Sequence, residues 1–188
     1  MASSLCMRFS EVGAVLTATR RRLTPASSHA ARLAAFAAVE ADPLAIVPLP
    51  ESDERPPASR ERLAPGSELG THWAGFHAAK ATSYLEEISE TNPAFTVDHV
   101  AHPGWLLRFS NWALSETVRL GPWIHVASDL RLLAPVGDGD QLEVRARVTD
   151  CFERKGHELV DLTAVYLVDE HLVATCAHRA IWQPRRAE

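Results

Sequence analysis

The chain has 188 residues, 46% of them hydrophobic and 23% charged, with a formal net charge of −5. That length allows one well-buried domain, or one domain with a substantial extension, and the composition is that of an ordinary soluble globular protein. The negative balance argues against a nucleic-acid partner, which needs a basic surface, and the short run Arg20-Arg21-Arg22 reads as a solvated strand face.

In chain order, "AVLTATRRRL" (14–23) carries β-branched residues in partial alternation and predicts a strand. "TPASSHAARLAAFAAVEADP" then predicts a helix. Thr24 caps it, Pro25 takes its first position, Leu33, Phe36 and Ala37 form its apolar stripe, and Asp42-Pro43 ends it. This strand–helix unit fills an N-terminal segment, 1–47. The proline- and charge-rich stretch 48–66 reads as a linker or long surface loop. The main domain, 67–184, opens with a short strand and a helix whose Ala81, Leu85 and Ile88 share one face, and a tail occupies 185–188. "EADP" (40–43) and "ETNP" (90–93) end the two helices alike, a faint hint of duplication.

"HPGWLLRFSNWALSETVRLG" (102–121) predicts a helix from Pro103 to Gly121 that is apolar almost all round, hence buried. Arg108, Asn111 and Ser115 share its one narrow polar face. Four strand-like runs follow. Ile124, Val126, Leu130 and Leu132 alternate with polar residues in the first, and Leu142, Val144, Ala146 and Val148 in the second. "HELVDLTAVYLV" and "LVATCAHRAIW" complete the set, joined through "DEH". One long buried helix and a four-strand meander imply an α+β domain, an antiparallel sheet curled around its central helix.

Cys6, Cys151 and Cys176 are odd in number and widely spaced, which fits a reducing cytosol better than a disulfide framework, so a cytoplasmic location is expected. No Cys or His spacing suits zinc, and neither metal nor cofactor is expected. "MASSLCMRFSEVGAVL" lacks the apolar core of a secretory signal. The first forty residues are Arg-, Ser- and Ala-rich like a transit peptide, yet Glu11, Glu40 and Asp42 favour folded structure. No apolar run nears the roughly 18–20 residues that span a membrane.

The loop Ser89-Glu90-Thr91-Asn92-Pro93-Ala94-Phe95, the turn Ala101-His102-Pro103-Gly104 and the long helix after it resemble the MaoC-like dehydratase/hydratase family of the hot-dog fold. There the loop reads G-D-x-N-P-x-H and the turn A-H-G, and "LLAPVGDGDQLEVRARV" (132–148) is similar to the family's strand–turn–strand. The likeness covers about 66–184, and 12–44 looks like a truncated second copy of the segment leading into such a domain. It implies a hydro-lyase acting on an enoyl or 3-hydroxyacyl thioester of coenzyme A or acyl carrier protein, and a homodimer or a heterodimer with a related hot-dog chain.

The family's loop Asp and His move the proton together. Here Glu90 keeps a carboxylate with an added methylene, and Phe95, at the histidine position, can neither accept nor donate a proton. The catalytic candidates are therefore Glu90 with His102, or less directly His99, as its relocated partner. Substrate-binding candidates are Asn92, Gly104 (an oxyanion donor at the helix start), Trp105, Asn111, and Arg154 with Lys155 for coenzyme A phosphates. Each has a plainer structural reading: a solvated carboxylate for Glu90, a backbone-bonded helix start for His102 and Gly104, a hairpin tip for Arg154 and Lys155. Two other functions stay open: a hot-dog thioesterase using Glu90 or Glu116, and an acyl-binding partner subunit or a biosynthetic enzyme reusing the fold.

Overall fold

A computed structural model describes residues 44–185, so the strand and helix expected over 14–42 lie outside the described residues. The elements are β1 (His72–Gly75), α1 (Ala78–Glu87), α2 (Pro93–Thr96), α3 (Pro103–Ser115), β2 (Ile124–Leu132), β3 (Gln141–Arg154), β4 (His157–Val168) and β5 (His171–Gln183). The strands form one antiparallel sheet in the order β1-β3-β4-β5-β2. Both hairpins turn on residue pairs at positive φ: Lys155-Gly156 (55° and 77°) and Asp169-Glu170 (49° and 65°). Such turns match the right-handed twist of the strands they join.

Alternation places Leu142, Val144, Ala146 and Val148 of β3 inward, with Leu162, Ala164 and Tyr166 of β4 and Ala174, Cys176 and Ala180 of β5. α3 lies on this face and buries Trp105, Leu106, Leu107, Phe109, Ala113 and Leu114 against it. Its buried Ser110 hydroxyl meets the Tyr166 hydroxyl at 2.6 Å, so these two polar groups satisfy each other.

Three sequence expectations shift. α3 stops at Ser115, short of Gly121, because Thr117 donates its hydroxyl to the Ala113 carbonyl (2.7 Å) and Arg119 turns back to bond Pro56. α1 stops at Glu87, so Ile88 caps the helix and is 43% exposed rather than sharing the stripe of Ala81 and Leu85. A β-bulge between His125 and Ala127 reverses the alternation, leaving Ile124 and Val126 outward and turning His125 to the face of Ser128. The proline-rich stretch 48–66 has no helix or strand and is mostly exposed, as a surface loop is, and it rests on the domain through buried Leu63 and through Arg60, which meets Glu158 at 2.7 Å.

The turn between β2 and β3 positions what precedes α3. Asp138 accepts the Ala78 amide at 2.8 Å, capping α1 from outside where His77 provides no side-chain cap. Val136 accepts the Ala101 amide at 2.8 Å, and Val100 bridges Gly137. This turn therefore holds both the start of α1 and the segment that leads into His102.

Candidate active site

Asn92 N-caps the short α2, accepting the Ala94 amide at 3.1 Å with Pro93 in the first helical position. This fold of the chain turns the Thr91 and Asn92 amides onto Glu90 Oε1, at 2.9 and 2.7 Å. Oε2 is left to face His102 Nε2 at 3.3 Å.

His102 is the N-cap of α3, and its Nδ1 accepts the Gly104 amide at 3.0 Å. A ring nitrogen that accepts a backbone N–H carries no proton. The neutral ring therefore holds its proton on Nε2, the nitrogen that faces the Glu90 carboxylate. Burial pushes the His102 pKa below its ordinary value, with Glu90 pulling the other way. Phe95, buried beside Leu85 and Ala94, packs edge-on against the imidazole with ring centres 4.8 Å apart. The apolar residue in the family's histidine position thus helps to desolvate the remaining histidine.

Tyr84 is the residue the sequence reading missed. Its hydroxyl lies 3.2 Å from His102 Nδ1, and burial raises its pKa, so it stays protonated. A Cβ built on Gly104 would overlap this hydroxyl, which explains the glycine. The remaining first-turn amides of α3 are taken too: Trp105 N–H and Leu106 N–H both donate to the His102 carbonyl. With Nδ1 unprotonated the Tyr84 O–H donates to it, and of the donors beside His102 this hydroxyl is the one that can rotate toward a ligand.

The other candidates fall elsewhere. His99 is exposed at positive φ (54°) in the turn between α2 and α3 and makes no contact with Glu90. Trp105 is core, edge-on to Phe76 and Phe109 with ring centres 5.0 Å away in each case. Asn111 lies farther along α3, with a buried Oδ1 that meets no donor among the described residues. Arg154 and Lys155 occupy the tip of the β3–β4 hairpin, at the opposite end of β3 from the 136–140 turn. At the usual rise per strand residue that is on the order of 40 Å from the Glu90 end. Glu116 sits 3.6 Å from buried His72, away from the cluster.

A second group of histidines lies where β2 pairs with β5. Ser128 Oγ meets His125 Nε2 and His178 Nδ1, each at 2.9 Å, and the two rings stack 4.7 Å apart. Ser128 and His178 line a cavity of about 380 Å³ together with Asp161 and Arg179. Among the described residues no group of three His, Cys, Asp or Glu could hold a metal, and no helix is long and apolar enough to cross a membrane.

Neither a family model nor a curated protein matches the chain. Solved structures do. The (R)-hydratase from A. caviae involved in PHA biosynthesis is 19% identical, with a TM-score of 0.51 over 61% of this chain and 93% of that one. The MaoC-like dehydratase from Rhodospirillum rubrum is 17% identical, with a TM-score of 0.54 over 67% and 97%. The HadBC (3R-hydroxyacyl-ACP dehydratase) complex from Mycobacterium tuberculosis is 17% identical, with a TM-score of 0.54 over 62% and 95%. At these identities the likeness establishes the fold. The described chain has the hot-dog fold, and its structural neighbours include MaoC-like dehydratases and (R)-hydratases.

Proposed function

We propose that the protein is a hydro-lyase that adds water across the double bond of an enoyl thioester, or removes it from a 3-hydroxyacyl thioester. The observation that carries this reading is the Glu90–His102 contact, in which a carboxylate oxygen and a protonated imidazole nitrogen face each other at 3.3 Å. Glu90 is the base: Oε2 takes a proton from water as the water oxygen bonds to C3. The double-bond electrons move onto the thioester as an enolate. Tyr84 O–H steadies the charge on the carbonyl oxygen, the role the Gly104 amide cannot fill while bonded to His102. The proton on Glu90 then passes to C2, and elimination runs the same steps backwards. His102 keeps Glu90 oriented through its Nε2–H, replacing the partner lost at Phe95.

This reading carries an assembly of two hot-dog chains, identical or related. Arg154 and Lys155 are remote from Glu90 within one chain, so they reach coenzyme A phosphates at this site only from a neighbouring subunit.

The test follows enoyl-CoA absorbance and free thiol together over a panel of chain lengths. Absorbance is expected to fall without thiol release, and Glu90→Gln should lower kcat by about 10²–10⁴-fold, the usual contribution of general acid–base catalysis. Thiol release would indicate a thioesterase instead. Neither signal, with thermal stabilisation by the thioester, would leave a binding subunit.

A further inference from the structure

Among the described residues Arg60 pairs with Glu158, Arg145 with Glu143, Arg147 with Glu68 and Arg179 with Asp161. Arg108 differs. It is half-buried on α3, and its Nε donates to the Trp105 carbonyl at 3.1 Å. Its guanidinium carbon lies 5.0, 5.7 and 5.5 Å from the ring centres of Trp105, Phe109 and Trp112. No described carboxylate comes within ion-pair distance of it. Burial lowers its pKa, Tyr84 opposes the shift, and no acid contributes. A guanidinium remains charged regardless. Two of its three nitrogens are thus held on an aromatic bed with their donors unspent.

Its position says what they meet. Arg108 is one turn along α3 from Gly104, on the side that faces Tyr84 and hence the Glu90–His102 pair. Asn111, with its unpartnered Oδ1, continues the same face. The phosphates of a carrier lie a whole pantetheine arm from the thioester, whereas the acyl chain begins at it. Apart from the transient enolate oxygen, an anion reaching Arg108 from a substrate seated on Glu90 therefore belongs to the acyl chain.

We propose that Arg108 binds a carboxylate at the far end of the acyl group, making the substrate an enoyl thioester of a dicarboxylic acid; this rests on the hydro-lyase reading above. The pair is a charge-assisted fork, and the rings that flank the guanidinium exclude water and strengthen it.

The test compares glutaryl-CoA with pentanoyl-CoA, which share every phosphate, by calorimetric titration of the full chain. The wild type is expected to bind glutaryl-CoA at least about tenfold more tightly, the order of one hydrogen-bonded charge. Arg108→Gln and Arg108→Met should abolish that preference while leaving pentanoyl-CoA affinity within about twofold. Equal or undetectable binding of both by the wild type overturns the proposal, and is what an acid from a second subunit paired with Arg108 would produce. Equal weakening of both ligands in both variants also overturns it, assigning Arg108 to the carrier or to the fold. Hydration of glutaconyl-CoA is followed in parallel. No hydration with the glutaryl preference intact sinks the hydro-lyase reading and leaves the carboxylate receptor standing. Hydration without the preference does the reverse.

Discussion

Two histidine clusters stand apart in the fold, one at the start of α3 and one where β2 pairs with β5, and hydrogen-bond geometry alone does not separate them. His102 has Glu90 on one nitrogen and the Gly104 amide on the other, with Tyr84 alongside. His178 has Ser128 on Nδ1 and, among the described residues, nothing on its buried Nε2. The difference is the carboxylate. Glu90 directs its free oxygen at His102, whereas Asp161, which lines the cavity beside His178 with Asp129 and Arg179, is held by that arginine through two 2.6 Å bonds. Burial, followed by the neighbouring His125, drops the His178 pKa to about 3. Ser128 and two neutral imidazoles look like parts of a nucleophile. They lack the acid that would orient the base and hold its charge. The first cluster sets a carboxylate against an imidazole, and the second joins β2 to β5 at the bulged edge of the sheet.

The largest expected effect that sharpens this contrast lies in the second cluster and concerns stability. In the unfolded chain His178 takes a proton near 6.5, and in the fold only near 3. The unfolded state binds more protons between those values, so the stability present above about pH 6.5 is lost as pH falls toward about 3. For one group the slope is about 1.4 kcal/mol per pH unit. Denaturant titrations across this window should show the slope in the wild type and a flatter profile in His178→Asn. An unchanged profile would mean that the ring is protonated in the fold.

A smaller effect probes the packing of the first cluster. Gly104→Ala places a methyl on the Tyr84 hydroxyl and should destabilise by about 1–3 kcal/mol, as overpacking does. Adding Tyr84→Phe should recover part of that stability in thermal melts. If the double variant is no better than the single, the hydroxyl is not what the glycine accommodates. Smaller again, Asn92→Ala removes the cap of α2 and should cost about 1 kcal/mol. Because the same turn presents two amides to Glu90, turnover should fall further than the stability loss explains.

Much of this was legible in the chain. α3 stood out because apolar residues circle it, and β3 because Leu142 to Val148 alternate without a break. Glu90 and His102 were recognisable as partners from the loop resemblance and are in contact, though their roles remain proposals. What could not be read shares one cause, dependence on tertiary pairing. The bulge at His125 is a single extra residue whose effect appears only against β5. Tyr84 sits in an ordinary amphipathic helix, and nothing local marks it until α3 brings Gly104 beneath its hydroxyl. The amides at the start of α3 were expected to be free, yet His102 before Pro103 is itself a cap signal. Its side chain takes the Gly104 N–H just as Asn92 before Pro93 takes that of Ala94.

A double-mutant cycle on enoyl-CoA hydration, with Glu90→Gln, His102→Gln and the two combined, tests the claimed pair most directly. If Glu90 and His102 act as one unit, each single change lowers kcat by about 10²–10⁴-fold and the double variant is little worse than the poorer single. Losses that multiply, or a wild type with no hydration to lose, would contradict it.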